Sequence, residues 1–101
     1  MNTKLSTLLS HGGMNALPAA DITARTGLDA REIRHAVQNE RQSGTVILSD
    51  ERGYFLPSED RETAVYETME WLGRMGATVR SYEMIIRNAQ SYLESLGVQR
   101  E

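Results

Sequence analysis

Arg31, Arg34, His35 and Gln38 stand three, four and seven residues apart. On a helical wheel they form one polar stripe, with Ile33, Ala36 and Val37 on the opposite, inner face. These side chains suit the reading of a nucleic-acid duplex. A guanidinium fork bridges O6 and N7 of guanine, a Gln amide pairs with adenine, and an imidazole donates to a base edge or a phosphate. Asp29, followed three residues later by Glu32, has the pattern of a capping box and starts the helix just ahead of Arg31. In a helix that enters a groove, residues near its start reach the bases. Arg31, Arg34 and His35 are therefore favoured over Gln42. The positive end of the helix, around Ala30, suits a phosphate. A face rich in Arg, Gln and Glu also serves solubility alone, and His35 reads equally as an ordinary exposed histidine.

Short elements on either side must hold this helix. Leu5, Leu8 and Leu9 make one apolar stripe on a first helix over about residues 3–11, stopped by Gly12 and Gly13. Residues 14–17 form a connector with room for a single rung of strand. Pro18 opens a second helix to about residue 26, with Ile22 inward and Gly27 supplying the freedom for a tight turn. The third helix spans about residues 29–43 and ends at Gly44. Residues 45–48 then read as a strand, 49–53 as a turn, and Tyr54, Phe55 and Leu56 as a return strand closed by Pro57. In it Tyr54 and Leu56 share one face and Phe55 takes the other. Glu40 falls on the inner face of the third helix. It reads either as an edge carboxylate meeting Arg25 or a tyrosine hydroxyl, or as half of a buried ion pair.

Helix, tight turn, helix and hairpin in that order outline a winged helix-turn-helix. The expected fold is mostly α with a small β-hairpin, a domain over residues 1–57, then a long C-terminal helix over 58–101. Arg25 sits near the end of the second helix and Arg52 at the hairpin tip, each placed to meet the duplex backbone. Asp50 and Glu51 beside Arg52 oppose a phosphate there. The whole chain of 101 residues carries a net charge of −3, and residues 1–57 balance six cations against six anions. A neutral domain with a local basic face binds duplex DNA modestly and in a salt-dependent way unless it is doubled.

The last helical region opens at Ser58-Glu59-Asp60 and reaches about Leu96. Its apolar residues keep heptad spacing in two sets: Val65, Leu72, Val79, Ile86 and Leu93, then Thr68, Met75, Tyr82, Ala89 and Leu96. Trp71, Ile85 and Tyr92 widen the stripe beyond a two-stranded seam. Gly73 and Gly76 weaken the helix by roughly 1 kcal/mol each. The phase runs through them, which favours one helix, kinked or straight, over a hairpin. So long an apolar stripe predicts a homodimer; a bend that folds the tail back on the first helix is the monomeric alternative.

Other chemistries lack their residues. There is no cysteine, which excludes disulfides and thiol chemistry and suits a reducing cytoplasm. His11 and His35 lie in different elements without metal-ligand spacing, so no metal or cofactor is expected. No phosphate-binding glycine loop, catalytic set or small-molecule site is evident, and an enzyme is not expected. Neither a membrane-spanning run nor a secretory leader appears.

The stretch from Thr26-Gly27-Leu28 to Gly53-Tyr54-Phe55-Leu56-Pro57 resembles the N-terminal winged-helix domain of the biotin operon repressor. It is closer to small prophage-encoded winged-helix proteins of Gram-positive bacteria. With these it shares the Arg-Glu-Ile-Arg run at Arg31 to Arg34, the Gly-Tyr-Phe-Leu wing and a long final helix. The resemblance covers residues 3–57 and the tail in outline. It implies a transcriptional regulator or an accessory of phage DNA replication, excision or packaging, without biotin binding. A winged-helix adaptor or inhibitor that binds protein and not DNA is the alternative.

Overall fold

The computed structural model describes residues 4–97. It is mostly helical: α1 (Ala19–Thr26), α2 (Ala30–Gln42), a two-stranded hairpin of β1 (Leu48–Asp50) and β2 (Gly53–Phe55), and α3 (Arg61–Ser95). Contacts divide the chain into two compact units, one ending at Trp71 and the other beginning at Leu72.

The first unit closes around aliphatic side chains. Leu5, Leu9, Ile22, Ile33, Val37 and Ile47 are buried together, with Leu17, Leu28, Tyr54 and Leu56 packed against them. Ile33 and Val37 lie one helical turn apart on α2, so a single face of that helix enters the core and leaves the other to solvent. The hairpin is antiparallel and pairs Leu48 with Phe55, Ser49 with Tyr54 and Asp50 with Gly53. Leu48 and Phe55 thus share one face and both are buried, while Tyr54 and Leu56 face the aliphatic core. Residue 17 provides a further rung, because Leu17 and Tyr54 exchange both backbone hydrogen bonds, at 2.8 and 3.0 Å. Gly53 lies so close to the Leu17 carbonyl, at φ +131°, that no side chain fits there.

Two elements differ from the sequence reading. The first helix shrinks to a 3-10 turn at Leu5–Leu8, and the part of that expectation at residue 3 lies outside the described residues. Two forces stop it from growing. The Thr7 hydroxyl donates to the Lys4 carbonyl at 2.7 Å, a local alternative to helical bonding. From Ser10 onward the backbone is drawn out along β2, with Leu56 N–H donating to the Ser10 carbonyl and Gly12 N–H to the Leu56 carbonyl. A second 3-10 turn, Gly13–Asn15, follows. The first strand also begins later than expected, at Leu48, because Arg41 Nε donates to the Ile47 carbonyl at 2.8 Å and the Thr45 N–H to the Glu40 carbonyl. Asp50 joins the ladder instead, leaving Glu51 and Arg52 as a two-residue tip.

Glu40 follows neither sequence reading. It is buried, at 8 % exposure, and its carboxylate accepts the Leu5 N–H at 2.6 Å and the Ser6 N–H at 3.1 Å. It caps the N-terminal 3-10 turn from another helix, meeting neither Arg25 nor a tyrosine hydroxyl. Four residues of 3-10 helix leave free N–H groups at their start, and a carboxylate is a strong acceptor for them.

The first turns of α3 belong to the first unit. Asp60 caps the helix through the Thr63 N–H and hydroxyl, which holds its own carboxyl below the usual range. Ala64, Glu67, Thr68 and Trp71 are half-buried at helical spacing. Thr68 and Trp71, expected in the dimer stripe, thus lie on the face turned toward their own unit. Within the second unit α3 continues unbroken through Gly73 and Gly76 to Ser95, and none of residues 72–97 is buried.

Candidate nucleic-acid interface

α1 and α2 are joined by a three-residue turn that the sequence specifies closely. Gly27 takes the left-handed conformation, φ +80°, and its N–H donates to the Thr23 carbonyl to close α1. The Thr26 hydroxyl donates to Ile22 and accepts the Leu28 N–H, fixing the exit. Asp29 and Glu32 then form the full capping box: the Asp29 carboxylate accepts the Glu32 N–H at 2.8 Å, and the Glu32 carboxylate accepts the Asp29 N–H at 3.0 Å. Both acids at the start of α2 are thus bonded to backbone donors.

The outer face of α2 carries Arg31, Arg34, His35 and Gln38, and α1 carries Arg25, all exposed. None has a side-chain partner among the described residues. Two other cations of the first unit, Arg41 and Arg52, are occupied. Arg41, half-buried, donates to the Ile47 carbonyl and the Ser49 hydroxyl and lies 4.9 Å over the Trp71 ring. Burial lowers its pKa, with Tyr54 opposing the shift. Cation–π contact and hydrogen bonding hold this guanidinium between α2, β1 and α3, away from solvent.

Arg52 sits at the hairpin tip, but its guanidinium turns back onto the protein. It donates to Asp50 at 2.6 and 3.1 Å, approaches the Phe55 ring, and packs over Gly13. The Asp50 hydrogen bonds and charge raise its pKa. Of the six candidate contact residues, Arg52 alone is paired; Arg31, Arg34, His35 and Gln38 share one open face of α2, and Arg25 is exposed on α1.

Sequence reasoning missed Glu67. Its carboxylate accepts the Gly13 N–H at 3.0 Å and, at 2.9 Å each, the Ser58 N–H and hydroxyl. Partial burial pushes its pKa up, but these bonds and the nearby Arg52 outweigh that and leave it lowered. Glu67 and the Arg41–Trp71 contact together bind the first turns of α3 to the unit. The available signal was a carboxylate in line with Ala64, Thr68 and Trp71 on a helix face. Its partners are backbone groups, which leave no trace in residue types.

The acidity has a narrower seat than the tail as a whole. Residues 58–71 hold five acids, Glu59, Asp60, Glu62, Glu67 and Glu70, against Arg61. They belong to the same compact unit as α2. The basic face is therefore a local feature of an acidic unit. A shallow, open groove of about 330 Å³ runs between the start of α1 and the hairpin, lined by Asp50, Glu51 and Arg52 among others. Among the described residues no three metal-ligating side chains gather, and no helix is long and apolar enough to cross a membrane.

Comparison of the chain with models of protein families, with curated proteins and with solved structures found no match.

Proposed function

We propose that this chain is a winged helix-turn-helix protein that binds double-stranded DNA, with α2 as the recognition helix and the β1–β2 hairpin as the wing. The observation that carries the reading is the sorting of the cations. Arg31 and Arg34 are exposed and unpaired on the outer face of a helix whose inner face is fully committed to the core, while Arg41 is taken up in structural contacts. An unpaired guanidinium at the start of a helix reaches a guanine edge without first breaking an ion pair. Arg25 meets the backbone from α1, and His35 and Gln38 extend the contact along the groove. Arg52 joins a phosphate only by giving up Asp50.

Few free cations make a weak site, so useful affinity calls for two copies of this face on a two-fold target. The fitting role is a cytoplasmic transcriptional regulator or an accessory of phage DNA transactions. Titration of duplex DNA from the gene's own neighbourhood, at low salt, tests this. Retardation is expected, with a loss of roughly 100-fold in affinity on Arg31→Ala with Arg34→Ala, at about 1–3 kcal/mol for each base contact. No retardation, or retardation indifferent to both substitutions, would refute the recognition-helix reading and favour a protein-binding adaptor.

A further inference from the structure

We infer that the helix from Leu72 onward is an interface for a second copy of this chain, and that its helical order depends on that assembly. Leu72, Val79 and Ile86 are 56, 50 and 54 % exposed, and Ile85 and Tyr92 extend the same face. Nine large apolar side chains of this stripe, roughly half-exposed, present on the order of 900 Å², against about 800 Å² buried per partner in a standard interface. The supply of apolar surface therefore matches what a stable pair needs.

A helix in this state does not hold itself. No residue from 72 to 97 is buried, so no tertiary packing stabilises it within its own unit. Gly73 and Gly76 oppose helix formation, and among the described residues an added Cβ at Gly73 would meet nothing within 4 Å, so no close packing in its own unit explains the glycine. Most helical stability in proteins comes from packing an amphipathic face and not from propensity.

Charge points to a copy and not to a foreign partner. Of the positions that flank the stripe between residues 72 and 97, only Glu83 is charged; Thr78, Gln90 and the others are neutral. Arg74, Arg80, Arg87 and Glu94 lie off the seam. An oppositely charged partner would find nothing along the edges to select it, whereas an identical helix meets almost no like-charge repulsion. The surface is independent of the DNA reading.

The test uses the full chain without DNA. At about 10 µM it should sediment at twice the chain mass or a higher whole multiple, and its helical circular dichroism should fall on dilution together with the assembly. Ile86→Asp, which places a charge mid-seam, should lower the assembly constant by at least about 100-fold and reduce helicity. Ser91→Asp, on the opposite face, should leave both within about twofold. The melting of the first unit should persist in Ile86→Asp, which separates lost assembly from lost folding. A monomer at 10 µM, helicity independent of concentration, or assembly unaffected by Ile86→Asp would each overturn the inference.

Discussion

Replacing Glu40 by Gln should destabilise the first unit far more than an isosteric change at a helix terminus ordinarily does. The carboxylate is buried and both of its oxygens are in use, one on the Leu5 N–H and one on the Ser6 N–H. An amide keeps one acceptor. The other position becomes an NH2 group facing a backbone N–H, donor against donor. An unsatisfied buried N–H costs about 1–3 kcal/mol. Glu40→Ala leaves both N–H groups without an acceptor and opens a small void, for a loss of about 3–5 kcal/mol. A unit of this size has a total stability of roughly 4–10 kcal/mol. The Gln variant should therefore melt about 5–20 °C lower, at 4–8 °C per kcal/mol, and the Ala variant about 12–40 °C lower. Urea unfolding followed by tryptophan fluorescence measures the difference, since Trp71 lies in this unit. Glu51→Gln, exposed at the hairpin tip, is the control and should change stability by less than about 0.5 kcal/mol. If Glu40→Gln falls within that same margin, the carboxylate is not the cap it is taken to be.

Two further outcomes follow from the other acids. Glu67 has a depressed pKa in the folded chain, so its stabilisation is present above the unfolded carboxyl value of about 4.3 and is lost as pH falls through the lower folded value. Glu67→Gln should lose about 1–2 kcal/mol at pH 7 and show a flatter melting temperature between about pH 5 and 3; an unchanged acid limb would contradict this. Asp50→Asn should release Arg52 to a phosphate, tightening DNA binding and steepening the dependence of log affinity on log salt by about 0.9 per site. A slope equal to that of the parent chain would show that Arg52 does not reach the backbone.

Much of the region from Pro18 to Gln42 was legible because its signals are local. Pro18, Gly27 and the Asp29–Glu32 capping box each act within a few residues, and α1 and α2 begin and end where those residues direct. The outward stripe of Arg31, Arg34, His35 and Gln38 follows from helical periodicity once the inner face is known. The first helix failed for the opposite reason. Its leucines have helical spacing, but the chain from Ser10 gains more by pairing with β2, a segment more than forty residues away. The late start of β1 is of the same kind, set by Arg41 capturing the Ile47 carbonyl.

What the sequence alone determined is the order and faces of the elements: an aliphatic core, an exposed polar stripe on α2, a hairpin, and a heptad stripe on a long final helix. These depend on residue type and spacing over one or two turns. Only the tertiary structure decided which charges are free. Arg31 and Arg41 are equivalent in type and lie ten positions apart on one helix. One faces open solvent, and the other is fixed over Trp71 with two hydrogen bonds. Likewise Glu40 and Glu67 serve backbone N–H groups that distant turns bring to them. A backbone donor has no side-chain signature, and its need for an acceptor arises only once folding has removed water from it.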